Sequence, residues 1–258
     1  MPVPQVIKDR IGVVQGRLSP PINDQIQAFP ARHWREEFIS AREILINLIE
    51  WTLDHKGFAD NPFMTMDGRA EIRSLQNRYG VRVGSVTGDC LMQAPFFKVE
   101  GACRASLLEE FGALIRACGS LNVGQIVFPL VDNGSITEVK DEESLRKGLR
   151  EVEPLLVATG VRVAFESDFP PTRLAQFIDT LSPDLFGINY DIGNSAALGY
   201  SSEEEVSTYG ARIINVHVKD RLRGGATVSL GNGAADLSRT IGCLRDSGYL
   251  GNYILRRR

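Results

Sequence analysis

Apolar residues at Trp34, Phe38, Ala41, Ile44, Leu45 and Leu48 recur every three or four positions, which predicts an amphipathic helix over 33–47. The same period marks Leu107, Leu108, Phe111, Leu114, Ile115 and Cys118 in a helix over 104–120, and Leu145, Leu149, Val152, Leu155 and Leu156 in another over 141–159. Further helices are predicted over 67–79, with Asp67 as N-cap and Gly80 as its stop, and over 172–181, 203–209 and 236–247. Between them lie short apolar, β-branched runs at 11–15, 48–52, 81–86, 125–129, 161–168, 185–192, 211–220 and 249–256. Eight strands alternating with seven helices predict an α/β protein, and the count suits a (β/α)8 TIM barrel. The last predicted strand ends two residues before Arg258, so the final C-terminal helix of a full barrel is expected to be lacking.

Size agrees with one domain spanning 1–258, since a barrel of this kind needs about 250 residues. A net charge of −3, with no basic run before the terminal arginines, gives nucleic acid little electrostatic reason to bind. No stretch approaches the roughly 20 apolar residues of a membrane span, and the first ten residues lack an apolar signal core. Cys90, Cys103, Cys118 and Cys243 have no CxxC spacing, which suits free thiols in a reducing compartment. A cytoplasmic location with no membrane partner is the resulting expectation.

The alternation of side chains along a strand gives the runs a chemical face. In 211–220, Asn215, His217 and Lys219 share one side, with Ile214, Val216 and Val218 on the other. Two earlier strands also end on ionisable groups, Glu166 and Asp191. These and His217 lie about 25 residues apart, close to the length of one strand–helix repeat. Neighbouring parallel strands would therefore each deliver one carboxylate or imidazole to the same end of a sheet. Glu50 alternates with Leu48 and Thr52 and suits a contact at the barrel mouth or a structural ion pair. Arg17, just past the first strand, suits either a grip on a substrate phosphate or carboxylate, or a surface ion pair. The loop after the third strand carries Asp89, Met92 and Gln93.

Glu166 in AFES, Asp191 in YDIGN, His217 in HVKD and the later LGNGAADL together resemble the xylose isomerase-like TIM barrels, within them the sugar phosphate isomerases and epimerases. The resemblance extends to IGVVQGRLSP near the N-terminus and to Ile49-Glu-Trp51, so it runs through nearly the whole chain. It implies Glu166, Asp191 and His217 as ligands of a divalent ion, and two carboxylates with one imidazole suit Mn2+, Mg2+, Co2+ or Zn2+. It also implies Glu166 as the catalytic base, Lys219 as a stabiliser of negative charge, and Arg17, Glu50 and Asn194 as substrate contacts. The implied partner is a small sugar or sugar phosphate, and self-association into a homo-oligomer is compatible with it.

One position departs from the pattern. Where the family carries Gly-Tyr-x-Gly-x-x-x-x-Glu, this chain reads GYLGNYILR, with Arg256 in place of the glutamate. That glutamate is the family's fourth metal ligand and, in related epimerases, one of two bases on opposite faces of the substrate. The expected function is a metal-dependent isomerase or epimerase of a sugar or sugar phosphate working through an enediolate. The alternative is a catalytically impaired barrel that binds a ligand or partner because Arg256 has displaced a ligand. A DNA-repair endonuclease of the same superfamily would need a cluster of zinc-binding histidines, and the chain has only His33, His55 and His217.

Overall fold

The computed structural model describes residues 9–20 and 28–256. Eight parallel strands close into a barrel: β1 (Ile11–Val14), β2 (Leu48–Thr52), β3 (Arg82–Thr87), β4 (Gln125–Leu130), β5 (Arg162–Ser167), β6 (Phe186–Asp191), β7 (Ile213–Val218) and β10 (Asn252–Leu255). Each pairs with its successor, and β10 returns to β1. After β7 the chain makes a small antiparallel ribbon from β8 (Asp220–Arg221) and β9 (Thr227–Val228).

Seven helices connect the barrel strands: α1 (Glu36–Glu43), α2 (Met66–Tyr79), α4 (Gly101–Leu121), α5 (Val139–Thr159), α6 (Pro171–Asp179), α8 (Ser202–Tyr209) and α9 (Leu237–Asp246). Two short helices, α3 (Asp89–Gln93) and α7 (Ile192–Leu198), follow β3 and β6 directly. The fold is thus the expected α/β barrel. Among the described residues no helix is long and apolar enough to cross a membrane.

Three of the boundaries that differ from the sequence pattern have a visible local cause. The helix expected over 33–47 is regular only in α1, because Leu45 takes a φ of 62° and turns the chain into β2. Thr65 caps α2 in place of Asp67, its hydroxyl accepting from Gly68 N at 3.1 Å and leaving Asp67 in the first turn. The last strand begins at Asn252, because Gly248, with φ 78°, is needed to turn the chain out of α9.

Packing explains the alternation. Outward-facing Phe128 and Phe165 meet at 5.6 Å between ring centroids, and Phe111 and Phe177 cover them from α4 and α6. Each fully buried phenylalanine contributes about 1.5–3 kcal/mol. Inside the barrel Val14, Leu48 and Ile254 form a small apolar floor, and Gly84 makes room for Leu48, since a Cβ there would lie 2.4 Å from it. Above that floor the interior becomes polar.

Candidate functional site

Register brings the chemistry together. Asp191 pairs directly with His217 across β6 and β7, and Glu166 closes β5 beside them. The backbone N–H of Arg256 donates to the carbonyl of Val218 at 3.1 Å, so the ladder carries Arg256 to the same rim as the end of β7. Glu166, Asp191 and His217 are all buried, and one ligand atom of each lies within 4.8 Å of the others. The expected convergence of the three strand ends is what the structure contains.

His217 is held from below. Its Nε2 lies 2.8 Å from Glu50 Oε1, while Glu50 Oε2 accepts from Ser85 Oγ at 2.8 Å and Asn215 Nδ2 at 3.2 Å. Both oxygens of a fully buried carboxylate are therefore engaged. Glu50 orients the imidazole through a buried ion pair, the second of the two roles the sequence left open for it. Burial alone would lower the His217 pKa, but the Glu50 charge, with Asp191 and Glu166, raises it to about 10. The same pairing holds Glu50 below the usual carboxylate range despite its burial.

Glu166 has the richest shell. Its Oε1 accepts from Asn194 Nδ2 at 2.7 Å, and its Oε2 accepts from Asn189 Nδ2 at 2.9 Å and Arg256 Nη1 at 3.1 Å. His217 Nδ1 lies 3.0 Å from the same Oε2. Asp191 divides its labour. Oδ1 caps α7 by accepting from Asn194 N at 2.8 Å, and Oδ2, without a well-formed hydrogen bond, faces Lys219 Nζ at 3.0 Å. Burial would raise the Asp191 pKa, but Lys219, His217 and Arg256 together hold it well below the usual carboxylate range.

Above these groups opens a cavity of about 320 Å3, lined by Asp89, Asp132, Glu166, Asn194, Lys219, Arg221 and Arg256 among others. Its size is within the range of small-molecule sites. A larger cavity, about 610 Å3, lies around Arg73, Arg82 and Asn252, at the opposite end of the barrel, away from the carboxylate–imidazole cluster. Catalytic groups of this fold gather at the carboxyl ends of the strands, so the smaller cavity is the candidate site.

Lys219 and Asn194 line that cavity. Arg17 does not: it is buried, and its Nε donates to the carbonyl of Arg256 at 3.4 Å, tying the end of β1 to the end of β10. Sequence reading passed over Asn189, although it stands two residues before Asp191 and so on the same face of β6. It also passed over Arg221, whose Nη1 donates to Asn194 Oδ1 at 2.8 Å.

Two carboxylates and an oriented imidazole are a donor set for a divalent ion, and Asp191 Oδ2, which faces Lys219 without a well-formed hydrogen bond, points into it. Arg256 is not compatible with that ion. Its Nη1 lies 3.1 Å from Glu166, 3.8 Å from Asp191 and 3.0 Å from His217 Nδ1. A divalent ion and a guanidinium about 4 Å apart repel by about 8 kcal/mol at an effective dielectric near 20. Three corners of the site fit a metal and the fourth does not, so the set as a whole does not fit while Arg256 is in place.

Comparison with known proteins places this geometry in a family. The model of the xylose isomerase-like TIM barrel matches residues 41–258. L-ribulose-5-phosphate 3-epimerase UlaE of Salmonella paratyphi A is 26% identical over 249 residues, which cover 91% of this chain and 86% of the relative. Among solved structures, 3-keto-D-glucoside 4-epimerase YcjR from Escherichia coli superposes with a TM-score of 0.69 at 16% identity, covering 96% of this chain and 92% of its own. A xylose isomerase-like TIM barrel protein from Mycobacterium smegmatis in complex with magnesium gives a TM-score of 0.67 at 15% identity, over 95% of this chain and 89% of its own. The chain belongs to the xylose isomerase-like TIM barrel family.

Proposed function

We propose that this barrel is an isomerase or epimerase that binds a sugar or sugar phosphate at its mouth and moves a proton on the carbon next to the carbonyl. The observation that carries the reading is Glu166, a carboxylate on the cavity wall with Lys219 and Arg256 beside it. Named epimerases among the relatives support the same class.

Glu166 takes the proton alpha to the carbonyl, and the electron pair moves into the carbonyl oxygen to give an enediolate. Lys219 and Arg256 face the developing negative charge, the kind of pre-placed electrostatic help that lowers such barriers. Asn194, bridging Glu166 and Arg221, orients both the base and a substrate hydroxyl. Return of the proton from Glu166 to the former carbonyl carbon, on the same face, gives the isomer, whereas the epimer needs a second proton donor on the opposite face, the role of the family glutamate whose position Arg256 holds here. No step passes through a divalent ion, because the four corners together do not fit one.

A second reading has its own observation. Arg256 pairs with Glu166 at 3.1 Å, which ties up the base and favours a barrel that holds its sugar without turning it over. Proton exchange separates the two. A panel of ketoses and ketose phosphates in D2O, followed by proton NMR with and without added Mg2+, is expected to show loss of the signal alpha to the carbonyl for at least one member. Glu166→Gln should slow that loss by about 10²–10⁴-fold, the usual share of a general base. No exchange across the panel, or equal exchange in the variant, would overturn the enzymatic reading.

A further inference from the structure

We propose that Arg256 is the resident counter-ion of this centre and closes it to divalent metals, taking the place between Glu166, Asp191 and His217 that an ion would occupy. The distances of 3.1, 3.8 and 3.0 Å put one guanidinium nitrogen in contact range of all three. An ion bound to them would need about 2.0–2.3 Å to each ligand atom, and so the same space.

Charge gives an independent argument. At the mouth Lys219 faces Asp191 at 3.0 Å and Arg256 faces Glu166 at 3.1 Å, two cations against two carboxylates. A divalent ion added to that balanced set leaves a surplus of two positive charges in a buried place. In Arg256→Glu these two pairs become three carboxylates against Lys219, a deficit that one divalent ion would offset.

Arg256 is also anchored. Its side chain is 10% exposed, its backbone N–H donates to Val218, and its carbonyl accepts from Arg17. Admitting an ion means withdrawing the guanidinium from both carboxylates at once. The rest of a metal-holding architecture is intact, including Glu50 fixing the imidazole so that Nδ1 faces the centre. Arg256 is the side chain that lies in contact range of all three candidate ligands at once.

The inference concerns the same site as the proposed reaction but does not depend on turnover. Its test is a calorimetric Mn2+ titration of chelator-dialysed parent, Arg256→Glu and Arg256→Ala, with thermal melting of each with and without Mn2+. Parent is expected to bind at least about 100-fold more weakly than Arg256→Glu, the minimum from exchanging a like charge for a ligand. Mn2+ should raise the melting temperature of the variants and not that of the parent. Arg256→Ala keeps the test sound if the glutamate variant fails to fold, because removing the guanidinium alone should let binding appear. Parent binding as tightly as the variants, or a folded Arg256→Ala that gains no binding, would overturn the inference. A parent that binds Mn2+ and still exchanges protons would sink this inference and leave the enzymatic reading standing.

Discussion

Neighbouring residues on β6 serve two buried carboxylates on opposite sides of the barrel wall. Asp191 points inward and is surrounded by Lys219, Arg256 and His217. Tyr190, one residue earlier, points outward, and its hydroxyl donates at 2.8 Å to Glu205 on α8. Glu205 also accepts from Tyr209 and Ser195, both at 2.7 Å, so neutral hydroxyls satisfy it. The two groups are almost equally hidden from water, yet their pKa values move in opposite directions. Burial raises Glu205 and its three donors only partly offset that, while formal charges around Asp191 overcome burial and lower it. At Glu205 three hydroxyl hydrogen bonds do not outweigh burial, whereas at Asp191 the opposite charges do. That is why the inward face of β6 can do electrostatic chemistry and the outward face holds α8 in place.

The largest break in the comparison is removal of the charge on the inward side. Arg256→Ala leaves Glu166 and Asp191 with His217 and Lys219 as their remaining cationic neighbours and should cost about 3–5 kcal/mol of stability, the usual penalty for breaking a buried pair. Urea unfolding measures it. Saturating Mn2+ should return part of the loss in the variant, by mass action, and nothing in the parent. A loss under about 1 kcal/mol, the range of exposed pairs, would mean that water already screens the rim.

How much of this was legible beforehand depended on the length of the pattern. α4 and α5 each repeat their apolar stripe over 21 residues, and the strand ends carrying Glu166, Asp191 and His217 follow from period-two alternation. α3, with five residues, and α7, with seven, are too short to show a helical period, although Asp191 followed by Asn194 is an N-cap spacing. The two-residue strands of the β8–β9 ribbon carry no pattern at all. Arg256 was legible as a departure from a motif because it sits at a fixed spacing from Gly248. Partnerships across the barrel were not. Glu50 and His217 are 167 residues apart, and alternation says that both point inward without saying that they meet. Arg17 likewise read as either a substrate grip or a surface ion pair, because the sequence does not show that the Arg256 carbonyl lies beside it.

A smaller change sharpens the contrast from the outward side. Tyr190→Phe removes one of three hydroxyl donors to Glu205 and should cost about 1.5–3 kcal/mol, the scale of a hydrogen bond to a charged group. Because Tyr190 and Asp191 face opposite ways, Mn2+ titration of Arg256→Glu should give the same affinity with and without the added Tyr190→Phe change. A shift in that affinity beyond about threefold, roughly 0.6 kcal/mol, would mean that the two faces of β6 are coupled through its backbone.

The smallest effect is one of sign, and it separates the two carboxylates most cleanly. A carboxyl whose pKa is raised on folding, as burial raises Glu205, binds more protons in the folded state than in the unfolded one through the window above the ordinary value of about 4.3. Stability therefore falls as pH rises through that window. Asp191 acts in the reverse sense: its pKa is lowered on folding, so its contribution is present above the ordinary carboxylate range and is lost as pH falls below it. Glu205→Gln removes the first effect and leaves the second. The amide oxygen can still accept from Tyr209 and Ser195, and the Tyr190 hydroxyl can turn to accept from the amide, so the shell survives. Urea midpoints of parent and variant at pH 4 and pH 7 supply the test. The variant should gain stability relative to the parent at pH 7 compared with pH 4. If the difference between them is the same at both values, Glu205 keeps an ordinary pKa and its three hydroxyl partners have fully replaced the water it lost.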